Sequence, residues 1–203
     1  MTQAPATEKG RATRERILQA AAELVAEKGA AGMSLDDVRA RTGASRSQLY
    51  HYFDDRDDLV RAVIDVTTDA VLDVQGDLIG RLDSWAAIDR WFDALVAFQV
   101  ERQARGGCPI GSLAGQLAEQ DAGARIAIAN GLDRWEAHLR DGLVRMKARD
   151  KLRRDADPAD LATATMASIQ GGLLLTQVRR DPGQLRIALG AARANLHQKG
   201  RRR

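Results

Sequence analysis

Arg46, Ser47, Tyr50 and His51 stand close together in the chain and carry cationic donors, a hydroxyl and aromatic faces. Those groups grip phosphates and meet the edges of bases. Around them Leu49, Tyr52 and Phe53 share one face at i, i+3, i+4 spacing. A helix of barely two turns that buries this face leaves the other four pointing outward, a set unusual for a merely solvated surface. Ser45 with Gln48 forms a capping-box pattern at its start. Ser34 with Asp37 repeats the pattern upstream, Leu35 and Val38 give that earlier helix an apolar side, and Gly43 stops it. Two short helices joined by a tight glycine-containing turn outline a helix-turn-helix, whose second member enters the DNA major groove.

The chain resembles the TetR family of bacterial transcriptional repressors. The likeness is carried by Gly43-Ala44-Ser45, Leu49-Tyr50-His51-Tyr52-Phe53 and Arg56-Asp57-Asp58-Leu59, with the amphipathic stretch from Ile17 to Val25 and Gly29 upstream. It covers the first quarter to third of the chain. Tyr52 stands where the family often has histidine, and Arg56 where it often has lysine. The resemblance implies double-stranded DNA with a palindromic operator as partner, and a small-molecule inducer. The expected DNA-binding residues are Ser34, Ser45, Arg46, Ser47, Gln48, Tyr50, His51 and Arg56. Arg46 is placed for a guanine edge or a phosphate, with Ser47 and Gln48 next to read bases. Tyr50, His51 and Arg56 hold the backbone, with Ser34 contributing from the preceding helix.

Catalysis finds little to work with. His51, His138 and His197 lie far apart and none has metal-ligand spacing. There is no GxSxG, no phosphate-cradling glycine loop and no CxxC. The run Asp54-Asp55-Arg56-Asp57-Asp58 sits at a helix entrance, where carboxylates cap and oppose the helix dipole. No catalytic residue, metal site or cofactor is expected, and an all-α enzyme stands as the alternative class.

The formal net charge of +3 does not by itself suggest nucleic acid. The first sixty residues hold nine Lys or Arg against ten Asp or Glu, so placement matters more than the sum. Arg11, Arg14 and Arg16 cluster at the entrance to the first helix, while Arg39, Arg41 and Arg46 bracket the turn. No window has the apolar run of a membrane span or of a signal peptide. A single cysteine, Cys108, fits a reducing bacterial cytoplasm.

Periodicity predicts an all-α chain: helices over 11–28, the two of the helix-turn-helix, then 55–82 (weakened at Gly76 and Gly80). Further helices are expected from Ser84 to the Gly106-Gly107-Cys108-Pro109 break, over 110–120, 122–149, 158–180 and 183–198. Residues 1–10 read as a disordered tail, 11–58 as the DNA-binding domain, 59–198 as a larger ligand-binding and dimerisation domain, and 199–203 as a basic tail.

Within the larger domain, Trp91, Phe92, Cys108, Trp135, Met166 and Gln170 are the candidate ligand-binding residues, with Phe98, Gln99, His138 and Thr165 nearby in the pattern. Apolar walls with a few polar groups suit a pocket for an apolar or aromatic molecule, and ordinary core packing accounts for the same residues. Gly107-Cys108-Pro109-Ile110-Gly111 resembles a box in a branch of the family that includes drug- and flavonoid-responsive repressors. Cys108 precedes a helix N-terminus, which favours a reactive thiolate, whereas free cysteines are more often small buried hydrophobes; the structural role is preferred.

Leu185, Leu189 and Leu196 form one seam at helical spacing, and Leu161, Ile169 and Gly172 another. Internal packing would explain both. Resemblance makes them the homodimer interface, because the family dimerises through a four-helix bundle of its last two helices. The reading is a homodimeric repressor released from its operator by an inducer. The alternative within DNA binding is a helical protein without ligand control.

Overall fold

In a computed structural model, residues 7–200 are described. They form ten helices among the described residues: α1 (Glu8–Lys28), α2 (Leu35–Thr42), α3 (Arg46–Tyr52), α4 (Arg56–Asp73), α5 (Gly76–Gly80), α6 (Trp85–Glu101), α7 (Pro109–Leu117), α8 (Ala122–Ala148), α9 (Pro158–Arg179) and α10 (Gly183–Gln198). The fold class is all-α, as expected. No helix among the described residues is long and apolar enough to cross a membrane.

The helix starts follow from their caps. The Thr7 hydroxyl accepts from the Gly10 amide, so α1 begins three residues before its expected start and takes in part of the supposed tail. Residues 1–6 of that tail, and 201–203 of the basic tail, lie outside the described residues. The two described residues of the basic tail are held: the Arg153 amide donates to the Lys199 carbonyl at 2.9 Å, and Gly200 makes an isolated antiparallel bridge to Leu152. Ser34–Asp37 and Ser45–Gln48 each make both halves of their capping box. Gly43 adopts φ +68° at the end of α2, a left-handed conformation that glycine takes without strain.

The expected helix over 55–82 is broken. α4 ends at Asp73, and Gly76 at φ +50° begins a separate short helix after Val74 and Gln75. Glycine permits the break, and the Gln75 side chain turns from the helix axis to serve the tryptophans described below.

The chain divides into two compact units. The first comprises residues through Val71 together with Ser112–Gly131; the second comprises Leu72–Gly111 and Leu132 onward. The division falls within α4, and the first unit takes in the end of α7 and the start of α8. Close approach between helices explains part of this. A Cβ at Gly131 would stand 2.5 Å from Thr68 Oγ1, and one at Gly123 would stand 3.3 Å from Arg61 Cδ. Glycines on α8 let it lie directly against α4.

The first unit buries the α1 stripe of Ile17, Leu18, Ala21, Leu24 and Val25 along with Val38, Leu49, Phe53, Leu59, Val63 and Ile64. In the second unit, Ile88, Trp91, Phe92, Leu139, Leu143 and Met146 are buried with the inner residues of α9 and α10. α10 is also pinned to α6, where Arg193 bridges Asp89 at 2.8 Å and Asp93 at 2.9 Å.

The residues expected at the dimer seam pack within the chain. Leu161, Ile169, Gly172, Leu185, Leu189 and Leu196 are all buried within a single chain. A Cβ at Gly172 would come 2.8 Å from Leu185 Cδ1 and 3.0 Å from Ala188 Cβ, so this glycine joins α9 to α10 rather than one chain to another. Gly171, by contrast, faces open space.

Gly142 of α8 gives the sharpest packing test. An added Cβ would run into the backbone carbonyl of Leu82, an atom that cannot rotate away. Gly142→Ala should cost about 1–3 kcal/mol of overpacking. Thermal denaturation checks this, and an unchanged midpoint would contradict the packing described.

Candidate nucleic-acid interface

α3 has only seven residues, below the length at which an isolated helix holds in water. Its inward face fixes it: Leu49, Tyr52 and Phe53 are buried, while Arg46, Ser47, Gln48, Tyr50 and His51 are exposed. Tyr50 is 45% exposed, uncommon for so large a ring. The Arg46 guanidinium lies 5.6 Å from the Tyr50 ring centroid, and the two form one cationic, aromatic surface. The His51 ring meets Tyr52 edge-on at 4.8 Å.

The other cations near the turn are engaged inside the unit. Arg41 makes a bidentate pair with Glu27, both bonds at 2.9 Å, tying α2 to α1. That hydrogen-bonded guanidinium holds the Glu27 carboxyl below its ordinary value. Lys28 reaches Asp37 at 3.0 Å, and Arg39 pairs with Asp36 at 2.8 Å. The Asp37 carboxyl is held low by the Ser34 hydroxyl first and Lys28 next. Arg46 makes no ion pair among the described residues. It is the cation on this surface most open to an incoming anion.

Four of the expected DNA contacts also make bonds inside the chain. Arg56 donates from Nε to the Met33 carbonyl at 3.0 Å and from a terminal nitrogen to the Ala30 carbonyl, with its other terminal nitrogen on Asp57. Its donors brace the turn between α1 and α2. Gln48 Oε1 accepts from the Ser45 amide at 2.9 Å, so a bidentate grip on adenine would require breaking the cap. The Ser34 hydroxyl donates to Asp37 at 2.8 Å, and Ser45 Oγ accepts from the Gln48 amide at 3.1 Å. Their capping roles are local and complete.

Arg14 was not among the expected contacts, yet its guanidinium lies 5.3 Å from the Phe53 ring centroid. The contact sets the α1 entrance against the end of α3. Clustered arginines at 11, 14 and 16 were the sequence signal for it.

In the second unit, the candidate ligand residues gather in two groups. Trp91 and Phe92 sit 5.3 Å apart by ring centroids. Gln75 Oε1 accepts from the Trp91 indole at 2.8 Å and from the Trp135 indole at 3.1 Å, linking α6 to α8 through one amide. Gln75 carries no motif in the sequence and was not among the expected residues. The second group is Cys108 with Gln170. The Gly111 amide donates to Cys108 Sγ at 3.3 Å, and the Gln170 carboxamide lies against the same turn. Met166 is buried one helical turn before Gln170 on α9.

Burial pushes the Cys108 thiol above its ordinary value, outweighing the hydrogen bonds from Gly111, Gln170 and Ile110. A protonated, buried thiol is a poor nucleophile, which agrees with the structural role for this cysteine. Gln99 Oε1 is buried without a hydrogen-bond partner among the described residues, and Gln170 Nε2 has only the Cys108 sulfur. Buried amide atoms left open are uncommon.

Two family models match separate stretches of the chain. Residues 17–63 match the model for bacterial regulatory proteins of the tetR family, and residues 84–190 match that for the C-terminal domain of LmrA/YxaF-like transcriptional regulators. An uncharacterized HTH-type transcriptional regulator of Mycobacterium tuberculosis is 28% identical over 180 residues, spanning 83% of this chain and 86% of its own. An HTH-type transcriptional repressor of the same species is 30% identical over 156 residues, 65% of this chain and 78% of its own. Among solved structures, a TetR transcriptional regulator from Chloroflexus aurantiacus superposes with a TM-score of 0.80 at 24% identity, covering 96% of this chain and 99% of the other. One from Cytophaga hutchinsonii gives 0.81 at 18% identity, with 98% and 100% covered. With a helix-turn-helix at one end and a matching regulatory domain over more than half its length, the chain belongs to the TetR family of transcriptional regulators.

Proposed function

We propose that this protein is a homodimeric repressor that binds a palindromic operator through α3 and is released by a neutral, largely apolar or aromatic small molecule. The single observation carrying DNA recognition is the exposed Arg46–Tyr50 pair on a capped helix whose other cationic neighbours are already paired. Arg46 meets a guanine edge or a phosphate, Ser47 reads a base, and Tyr50 and His51 hold the backbone. Gln48 contributes through its amide N–H groups while its oxygen keeps the cap.

The homodimer is supported by what α9 and α10 leave outside. Leu174, Leu175 and Val178 on α9 and Ile187 on α10 are exposed, Val178 and Ile187 each at 72%. Ala164, Ala167 and Gly171 continue the α9 stripe, and Gly190, Ala191 and Ala194 continue that of α10. Large exposed apolar residues beside small ones favour close packing against a second copy, related by a twofold axis. A dimer doubles the site that one seven-residue helix can read.

Ligand binding draws support from the neutral character of Trp91, Phe92, Cys108, Trp135, Met166 and Gln170, and from the open amide atoms of Gln99 and Gln170. A flat, uncharged molecule offering one donor and one acceptor suits these groups. The LmrA/YxaF-like match spans the Gly107–Gly111 box, in keeping with a drug- or flavonoid-like inducer. Release then works by population shift: ligand held by α6 to α9 favours a state of α4 that spaces the two α3 helices wrongly for DNA.

Two experiments test these parts separately. Arg46→Ala should weaken operator binding and lower the slope of log affinity against log salt by about one. Arg56→Ala should leave that slope unchanged and lower the melting temperature instead, through loss of its brace on Ala30 and Met33. The reverse pattern would return Arg56 to the phosphate set.

Val178→Asp and Ile187→Asp should give folded monomers by sedimentation, whereas Leu189→Asp, aimed at the core, should unfold the chain. Folded dimers from both outer variants would move the interface elsewhere.

A further inference from the structure

The turn between α1 and α2 is held from two sides. Its Ala30 amide donates to Gln116 Oε1 of α7 at 2.8 Å, while Arg56 of α4 takes the Ala30 and Met33 carbonyls. All four residues belong to the first unit. The Gln116 carboxamide has a fixed orientation, because its Nε2 donates to the Ser112 carbonyl of its own helix at 3.1 Å. That bond turns Oε1 toward Ala30. The turn itself is shaped to admit it: Gly29 adopts φ +77°, and a Cβ there would stand 2.8 Å from Gln116 Oε1. Two sequence-distant elements thus meet one residue just ahead of the helix-turn-helix.

α7 begins at Pro109, directly after Cys108, and its first turn belongs to the second unit while Gln116 belongs to the first. A shift of α7 at Gln116 therefore reaches Ala30 through this hydrogen bond. Ala30 is fully buried and followed by Met33 at 1% exposure, so this turn has little room to move without carrying Ser34 and the start of α2. We propose that Gln116 is a positioning residue for DNA binding, coupling α7 to the turn that orients α2 and α3. It rests on the DNA-binding function proposed above.

Coupling is reciprocal, so DNA held by α3 must also alter α7, and this can be read without any inducer. The experiment is amide hydrogen exchange on the full-length protein, alone and with a duplex selected by the protein from a random pool. In the wild type, DNA should change exchange across residues 109–117. In Gln116→Ala the Ala30 amide should exchange about tenfold faster, the scale of one lost hydrogen bond. DNA should then no longer affect α7. An unchanged melting temperature of Gln116→Ala separates positioning from a general loss of fold. An α7 response to DNA that is equal in the wild type and Gln116→Ala would overturn the proposal, as would unchanged exchange at Ala30. Failure of the wild type to bind any duplex would instead overturn the DNA-binding function itself.

Discussion

A reading helix of seven residues cannot hold itself in water, and the first unit of this protein is organised around that constraint. Burial of Leu49, Tyr52 and Phe53 beside the α1 stripe supplies what the short helix lacks. Capping boxes fix where α2 and α3 begin, and Arg41–Glu27 and Lys28–Asp37 lock α2 to α1. With the inward face and both helix starts fixed, the outward residues acquire a defined geometry. Arg46 and Tyr50 form a usable surface only because most neighbouring polar groups are already satisfied internally.

The same economy of polar groups recurs in the second unit. One amide oxygen of Gln75 serves two buried indoles, and Arg193 serves two carboxylates of α6. Buried donors must find partners, so these side chains decide how the helices meet. Gln99 and Gln170 depart from this pattern, since each keeps an amide atom without a full partner.

Much of this was legible in the sequence, for physical reasons that also mark its limits. Capping boxes, Gly43 and the α1 stripe are local signals, so the helix-turn-helix and its outward face could be read directly. Arg56 could not, because a guanidinium suits a phosphate and a backbone carbonyl equally well, and only folding brings Ala30 and Met33 to it. The residues read as a dimer seam pack inside the chain. α9 is apolar all round, with Ile169 buried and Val178 exposed, so a stripe at helical spacing does not reveal which side faces its own chain. Gln75 and Gln116 belong to no motif, and their importance comes from partners 60 and 86 residues away. The break between α4 and α5 depended on a positive φ at Gly76, which glycine permits without requiring.

The most direct measurement is the symmetry of the bound DNA. Duplexes selected by the full-length protein from a random pool, then mapped by footprinting, should contain an inverted repeat. Its half-site centres should lie one helical turn of about 34–36 Å apart, or a whole multiple of it, with protection of both half-sites rising together. A single unpaired half-site bound by one chain, or binding with no sequence preference, would contradict a twofold dimer that reads DNA through α3.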